Sequence, residues 1–254
     1  VPAARVARTV ASATLAIVVA AAASAIAPHP ARAADPGKVI RDVFPVAETG
    51  FDPAGVHDLY SGTIVQAIHE TLFTYDYLAR PSKVVPLTAE ALPEVTDGGR
   101  TWTIRLKKGI HFAPDPAFKG RKRELTAADY VYSLKRLADP KIRSPWAFLV
   151  EGKFVGLDEL AEEAKQSGRF DYDRKIAGME AVDRHTLRIT LARPDPRFPY
   201  IMAHTSFGAV AREVIEAYAG TTEAHPVGTG AYQLAEWKRA SRIVLTANPG
   251  YRGF

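Results

Sequence analysis

The sequence predicts an α/β domain, and three local patterns support that prediction. Residues 101–106 alternate between polar and apolar side chains, as in a half-buried strand. Residues 126–137 carry apolar side chains at helical spacing behind a capping motif. Residues 187–191 alternate again and are followed by two prolines. Strands and helices mix along one chain without an internal repeat, which indicates an α/β or α+β fold.

The first half of the chain is predicted to hold three strands and a helix before the capped segment. We expect a short strand over Val39–Phe44, a loop rich in glycine and proline over residues 48–61, and a helix over Thr63–Phe73. The alternating strand follows at residues 101–106. A turn at a glycine then suggests that Ile110–Phe112 returns beside it as the paired strand.

The clearest helix begins after Thr126. Its hydroxyl can accept a hydrogen bond from a free amide of the first turn, and Asp129 places a negative charge at the positive end of the helix. Asp139 and Pro140 end the helix, because the residue before a proline disfavours helical backbone angles. The predicted buried stripe consists of Ala127, Val131, Leu134 and Leu137, with Tyr130 beside it.

Four further elements complete the prediction. Residues 157–167 form a helix whose four acidic side chains face water, and residues 187–191 form a strand. A helix follows over Arg212–Ala219. The segments Tyr232–Trp237 and Arg242–Thr246 flank a short turn, which is typical of a hairpin.

Residues 1–33 have the pattern of an export signal. Arg5 and Arg8 give the positive start, and the stretch Thr9–Ala27 is uncharged and apolar. The segment Ala31–Ala33 has the small-x-small form that signal peptidase accepts, so we predict cleavage before Ala34. The alternative is a transmembrane anchor. Alanine dominates the stretch and two prolines interrupt its end, which disfavours an anchor.

The sequence contains no cysteine. A domain of this size can be stable on its hydrophobic core alone, so an exported form needs no disulfide. The same absence removes a cysteine that could carry a lipid anchor after cleavage. We therefore predict a protein that is secreted through a cleavable signal peptide into the periplasm, where an outer barrier retains it.

The positive charge of the chain does not indicate nucleic-acid binding. The formal net charge is +5, from 33 basic and 28 acidic residues, but residues 1–33 hold three arginines and no acid. Without that segment 30 basic residues face the same 28 acids, an excess of +2. This is too small for a DNA or RNA footprint. The one dense basic run, residues 121–123, is expected to be a solvated loop.

Signals for enzymatic chemistry are weak. No two histidines have the i, i+4 spacing of a helical zinc site, and no Gly-x-Ser-x-Gly elbow is present. His69 and Glu70 begin like a zinc-protease motif without its second histidine, so they are expected to be a surface or core pair. Gly228 and Gly230 resemble a phosphate loop, but a strand pattern follows them, which favours a tight backbone turn. We predict no catalytic residue, no metal and no cofactor.

Several aromatic side chains lie in or beside segments rich in glycine and proline. Such residues can form the apolar wall of a small-ligand cleft, or they can be plugs in the hydrophobic core. The sequence leaves both interpretations open. The residues concerned are Tyr60, Trp146, Phe148, Tyr232 and Trp237.

The C-terminal part of the chain resembles a known family. Residues 226–238 read PVGTGAYQLAEWK and residues 242–251 read RIVLTANPGY, which is similar to the signature of family 5 extracellular solute-binding proteins. The family pattern has proline where this chain has Ala231 and an acid where it has Gly250. Upstream segments that agree, in family order, are Phe51–Pro53, Ala91–Val95 and Leu125–Arg136.

The resemblance implies a periplasmic-binding-protein type II-like fold with two lobes and an extra subdomain. Residues 34–62 would begin the first lobe, residues 63–180 would form the inserted subdomain packed on it, and residues 181–254 would continue the first lobe. The second lobe, with the acidic and basic residues that commonly hold peptide termini, is expected to be absent from this chain.

The resemblance also implies ligand-binding residues. The peptide-facing loop of the family falls on His57, Leu59 and Tyr60, counted from the Asp-Pro pair. The segment after the capped helix matches a stretch whose aromatic side chain lines the cleft, which implicates Trp146 or Phe148. These residues would supply apolar walls and backbone hydrogen bonds to an extended peptide.

The function implied by the resemblance is capture of peptides for an ABC importer, without catalysis. The expected partners are a peptide or similar small solute and the membrane subunits of the permease, and the protein is expected to be a monomer. Family members also carry nickel chelates, haem and sugars. A secreted hydrolase or peptidase with an unrecognised site is the alternative from another class, and a periplasmic chaperone or sensor would share the fold.

Overall fold

A computed structural model describes residues 37–253, in two units, residues 37–43 and residues 44–253. The first unit contains neither helix nor strand. The strand predicted over Val39–Phe44 is therefore wrong. Its backbone groups join no ladder among the described residues, and an extended segment without a paired neighbour lacks the hydrogen bonds that define a strand. The predicted signal peptide, residues 1–33, lies outside the described residues.

Five α-helices and eight strands form the second unit as described. The helices are α1 (Leu59–Ile68), α2 (Ala127–Arg136), α3 (Leu157–Ser167), α4 (Phe198–Ile201) and α5 (Arg212–Ala217). The strands are β1 (Phe73–Tyr75), β2 (Val84–Pro86), β3 (Glu94–Thr96), β4 (Thr101–Arg105), β5 (Met179–Ala181), β6 (Thr186–Thr190), β7 (Tyr232–Lys238) and β8 (Arg242–Ala247). Every strand pair is antiparallel. Helix α3, helix α5 and the β7–β8 hairpin confirm the sequence predictions.

No helix within residues 37–253 is both long and apolar enough to cross a bilayer.

The largest sheet has four strands in the order β3-β4-β6-β5. Trp102 and Ile104 of β4 are buried on one face, opposite Ile189 and Leu187 of β6, which confirms both predicted alternating strands. The prediction that residues 110–112 pair with β4 is wrong. Strands β3 and β6 already occupy both edges of β4, so long-range pairing replaces the local hairpin.

Helix α1 begins and ends earlier than its apolar pattern predicts. The carboxylate of Asp58 accepts a hydrogen bond from the amide of Ser61 at 2.8 Å and caps the helix, which therefore starts at Leu59, four residues before the expected start. The helix ends at Ile68, and the backbone of the following residue, His69, is extended. Leu72, which was expected on the helix, instead lies in the main core beside β1.

Helix α2 confirms the predicted capping motif. The Thr126 amide donates to the Asp129 carboxylate at 2.7 Å. Asp129 also accepts two hydrogen bonds from Arg123, whose Nε donates to Glu213 of α5 at 2.7 Å. Arg123 is therefore not part of a solvated loop, because its guanidinium links two helices.

Two hydrophobic clusters organise the unit. The main cluster packs α2, α3 and the four-stranded sheet around buried side chains such as Tyr130 and Leu134. The smaller cluster joins α1 to the hairpin and consists of Phe51, Val56, Ile64, Val65 and Ile68. Residues 51–58, which we call the Asp-Pro loop, contribute Ala54 to the first cluster and Phe51 and Val56 to the second.

Candidate functional site

The Asp-Pro loop is a tight turn held by its aspartate. The Ala54 amide donates to the carboxylate of Asp52 at 3.1 Å, and the Gly55 amide donates to the Asp52 carbonyl at 3.0 Å. Phe51, before the turn, is fully buried against Trp237 with the ring centroids 4.8 Å apart. The loop is thus fixed at its start, while its last residues remain at the surface.

A buried ion pair anchors the same loop to helix α2. The two carboxylate oxygens of Asp52 accept hydrogen bonds from Nη1 and Nη2 of Arg136 at 2.8 Å and 2.6 Å, and Thr222 donates another at 2.8 Å. Burial alone would raise the pKa of Asp52, but the hydrogen bonds and charge of Arg136 hold that pKa below its usual value. The carboxylate therefore stays ionised and the turn keeps its anchor.

Three of the predicted ligand-binding residues lie where this loop enters helix α1. His57 is exposed, and Leu59 is the first residue of the helix with 75% of its surface exposed. Tyr60 is half-buried and packs on Phe44 with the ring centroids 5.0 Å apart. The Asp58 cap fixes the direction in which this part of the helix begins.

Trp146 connects the second predicted segment to the first. Its indole Nε1 donates a hydrogen bond to the carbonyl of Val56, the residue before His57. The half-buried ring packs against the main cluster, whereas Phe148 on the following turn is 61% exposed. The structure therefore brings the two predicted segments together on one surface, and their role in ligand binding stays a prediction.

His204 belongs to this surface and has no signal in the sequence. Its ring lies 4.2 Å from the ring of Trp146, and its Nδ1 is 2.9 Å from the hydroxyl of Ser206. Burial lowers the pKa of His204, so the imidazole is neutral near pH 7. No local pattern pairs a histidine with a tryptophan so far away in the sequence, because only the tertiary packing joins them.

Ala203 and Thr205, the neighbours of His204 in the chain, line a surface groove of about 220 Å³. Thr205, which follows His204, lines it together with the end of α1 and Tyr232 of β7. Glu70 also lines it, and its carboxylate accepts hydrogen bonds from Nη1 and Nη2 of Arg252, both at 2.8 Å. The groove combines aromatic walls with a fixed ion pair at its edge, a composition suited to a polar small molecule.

The glycine motif has a structural role. The Gly230 amide donates to the carbonyl of Ile68 at 2.8 Å, so it is not free to bind a phosphate. A Cβ at Gly228 would lie 2.0 Å from the same carbonyl oxygen, so the glycines permit close approach of two backbones. His69 and Glu70 are both buried, which confirms them as a core pair.

The remaining aromatic candidates differ in environment. Trp237 is half-buried and packs against the smaller cluster, and its Nε1 donates to the buried carboxylate of Glu48 at 2.6 Å. Tyr232 is 40% exposed at the groove. Within the described residues, no group of three or more potential ligands from His, Cys, Asp and Glu is placed to hold a metal ion.

Comparison with known proteins identifies the family. The pattern that defines the bacterial extracellular solute-binding proteins, family 5 Middle, matches residues 83–253. The chain belongs to this family. This family 5 chain is 30% identical over 203 residues to the periplasmic oligopeptide-binding protein OppA of Escherichia coli K12. The match covers 79% of the chain and 34% of OppA. It is 28% identical over 203 residues to the glutathione-binding protein GsiB of Escherichia coli O1:K1, covering 80% of the chain and 33% of GsiB.

Solved structures give the same result for the fold. The structure of Haemophilus influenzae OppA in complex with the peptide RPPGFSPFR matches 81% of the family 5 chain and 37% of its own length, with a TM-score of 0.66 and 25% identity. The fold is that of a type II periplasmic binding protein, as predicted. The chain spans about a third of the length of the curated relatives that it matches.

Proposed function

We propose that the full-length protein captures a peptide, or a solute of similar build, outside the cytoplasmic membrane and delivers it to an ABC permease. The names of the matched relatives support this proposal, since they include binding proteins for oligopeptides and for glutathione. Peptide binding without catalysis also agrees with the site described above. Its buried carboxylates accept hydrogen bonds from arginine or tryptophan side chains.

The observation that carries the proposal is the contact between Trp146 and the Asp-Pro loop. This hydrogen bond joins the two segments that carry the exposed residues His57, Leu59 and Phe148, which supports a shared binding surface. An extended peptide can bind such a surface through its own backbone, with apolar side chains of the protein excluding water from the contact. Recognition of this kind tolerates many side chains in the ligand.

Closure of two lobes is the proposed mechanism. Residues 34–62 and 181–254 would form the first lobe, residues 63–180 the inserted subdomain, and a second lobe would close over the solute. Contacts from both lobes favour the closed state, and the permease would then bind that state. The protein would act as a periplasmic monomer.

Calorimetry can test the proposal. The full-length protein and residues 34–254 alone are titrated with a mixture of short peptides and then with single sequences. We expect micromolar binding only by the full-length protein, because one lobe leaves the ligand half solvated. Equal affinity of both forms would contradict closure. Mass spectrometry of the titrated peptides serves as the control for hydrolysis, since cleavage products would favour a peptidase.

A further inference from the structure

A buried polar cluster lies behind the Asp-Pro loop, away from its exposed end. It contains the ion pair of Asp52 with Arg136, the hydroxyl of Thr222 and the imidazole of His69. His69 directly follows the last residue of helix α1, so the cluster joins three segments of the chain. Most polar atoms of the cluster have protein partners.

The hydrogen-bonding state of His69 follows from its neighbour. Its Nδ1 lies 3.2 Å from the carbonyl oxygen of Ala209, which can only accept, so Nδ1 carries the proton. Burial lowers the pKa of His69 to about 4, and the ring is neutral at pH 7. Nε2 is then an acceptor, and this buried atom has no hydrogen-bond partner among the described protein atoms.

Nε2 has a counterpart in the same cluster. Nε of Arg136, a donor, is likewise buried without a partner among the described atoms. A buried polar group without a hydrogen bond destabilises the folded state, so unpaired atoms of this kind indicate a partner other than protein.

A small cavity adjoins this cluster. Its volume is about 10 Å³, close to the space that one water molecule requires. Its polar lining consists of Asp52, His69, Thr222 and His225, and its apolar walls include Phe51 and Val214. Two to four polar partners are typical of a buried water.

We propose that one ordered water molecule binds in this cavity and donates its two hydrogen bonds to Nε2 of His69 and to the hydroxyl oxygen of Thr222, whose own proton is donated to the carboxylate of Asp52. The water links the end of α1, the Asp-Pro loop and the turn at Thr222. It therefore stabilises the inner side of the loop whose outer side carries His57. A ligand larger than water does not fit this volume.

A crystal structure of the full-length protein at high resolution tests the site directly. We expect one well-ordered water about 2.7–3.1 Å from Nε2 of His69. A dry cavity would overturn the proposal. So would a direct hydrogen bond from Nε of Arg136 to Nε2 of His69, because the two unpaired atoms would then satisfy each other.

A solution measurement on variants complements the crystal structure. Magnetic relaxation dispersion detects long-lived internal waters, and Thr222→Val should remove the contribution of this one. The matched control is Thr221→Val, since the exposed Thr221 hydroxyl donates to the carbonyl of Tyr218, and this variant should leave the contribution unchanged. An unchanged signal in Thr222→Val, or an equal loss in both variants, would contradict the assignment of the water to this cavity.

Discussion

The indole nitrogen of Trp146 donates a hydrogen bond to the main-chain carbonyl of Val56, ninety residues earlier in the chain. Both segments were predicted to face the ligand, yet nothing in either one specifies the other. The bond fixes the edge of the Trp146 ring, and His204 packs on the ring at 4.2 Å. The ring is thus positioned from two sides before any ligand binds.

Replacing Trp146 tests this arrangement. In the full-length protein Trp146→Ala should weaken ligand binding by roughly 1–3 kcal/mol, the range of a good aromatic anchor. Trp146→Phe keeps a ring beside His204 but loses the hydrogen bond to Val56, so its loss of affinity should be smaller. Calorimetric titration gives the affinities, and thermal melts give the stabilities.

Phe148→Ala is the matched control for folding, because that ring is largely exposed and its removal should leave the melting temperature nearly unchanged. Truncating an aromatic side chain that is packed in the hydrophobic core to alanine would cost about 3–5 kcal/mol of stability. If Trp146→Ala shows a loss of that size with unchanged affinity, Trp146 is a packing residue and not a ligand contact.

The buried His69 predicts a pH dependence of stability. Its pKa in the folded protein is about 4, below the usual 6.5, because burial disfavours the charged ring. The electric fields of Asp52 and Arg136 act on it in opposite directions. The unfolded chain therefore binds the proton first as the pH falls. Stability should be unaffected above about pH 6.5 and decrease from there toward pH 4, by roughly 3 kcal/mol in total.

Urea denaturation of the wild type and of His69→Phe at pH 5, 6 and 7 measures this contribution. The variant is expected to be less stable at pH 7 but to lose less stability than the wild type between pH 7 and pH 5. The range above pH 5 is chosen because carboxylates with lowered pKa values, such as Asp52, lose their contribution only at lower pH. Parallel pH profiles for the two proteins would show that His69 is protonated as easily in the folded state as in the unfolded state.

The Asp52–Arg136 pair should be far more important for stability than the exposed ion pairs. Asp52→Asn leaves the buried guanidinium of Arg136 without a counter-charge, and we expect a loss of about 3–5 kcal/mol in chemical denaturation. Asp173→Asn is the matched control. Asp173 pairs with Arg212 at the surface, where solvent screens the interaction, so this substitution should leave the stability nearly unchanged. Similar losses for the two variants would contradict the special role of the buried pair.

Two glycine-to-alanine substitutions are expected to change the stability of the protein in opposite directions. Gly228→Ala places a methyl group 2.0 Å from the carbonyl oxygen of Ile68, so the backbones must separate at a cost of about 1–3 kcal/mol. Gly62→Ala lies inside α1, where nothing approaches within 4 Å, and it should stabilise the protein by about 0.5–1 kcal/mol. Thermal or urea denaturation measures both. A neutral Gly228→Ala would show that this close approach relaxes freely.

Export gives a prediction about processing. If residues 1–33 are a cleaved signal, the protein recovered from the periplasm should begin at Ala34. N-terminal sequencing or intact-mass measurement after osmotic shock provides the readout, with the cytoplasmic precursor as the control. A periplasmic protein that retains the segment Thr9–Ala27 would instead support an uncleaved anchor.

Local patterns were sufficient for several elements of this fold. The helix after Thr126 depends on an aspartate three residues along the chain, and the β7–β8 hairpin depends on two alternating segments that flank a short turn. Prediction failed where a distant partner decides the outcome. Strand β4 has β6 as its neighbour and not the adjacent residues 110–112, and residues 39–44 form no strand. Helix α1 begins earlier than its apolar spacing predicts because Asp58 caps it.

The sequence by itself determined the family, the order of most helices and strands, and the segments proposed to contact a ligand, since motifs and periodicity are properties of neighbouring residues. Only the tertiary structure decided which of these segments meet. Trp146 reaches Val56, His204 packs on Trp146, and Arg136 neutralises Asp52. These contacts join residues far apart in the chain, and they form because burial of apolar surface and the need to pair each buried polar group select one arrangement of the whole molecule.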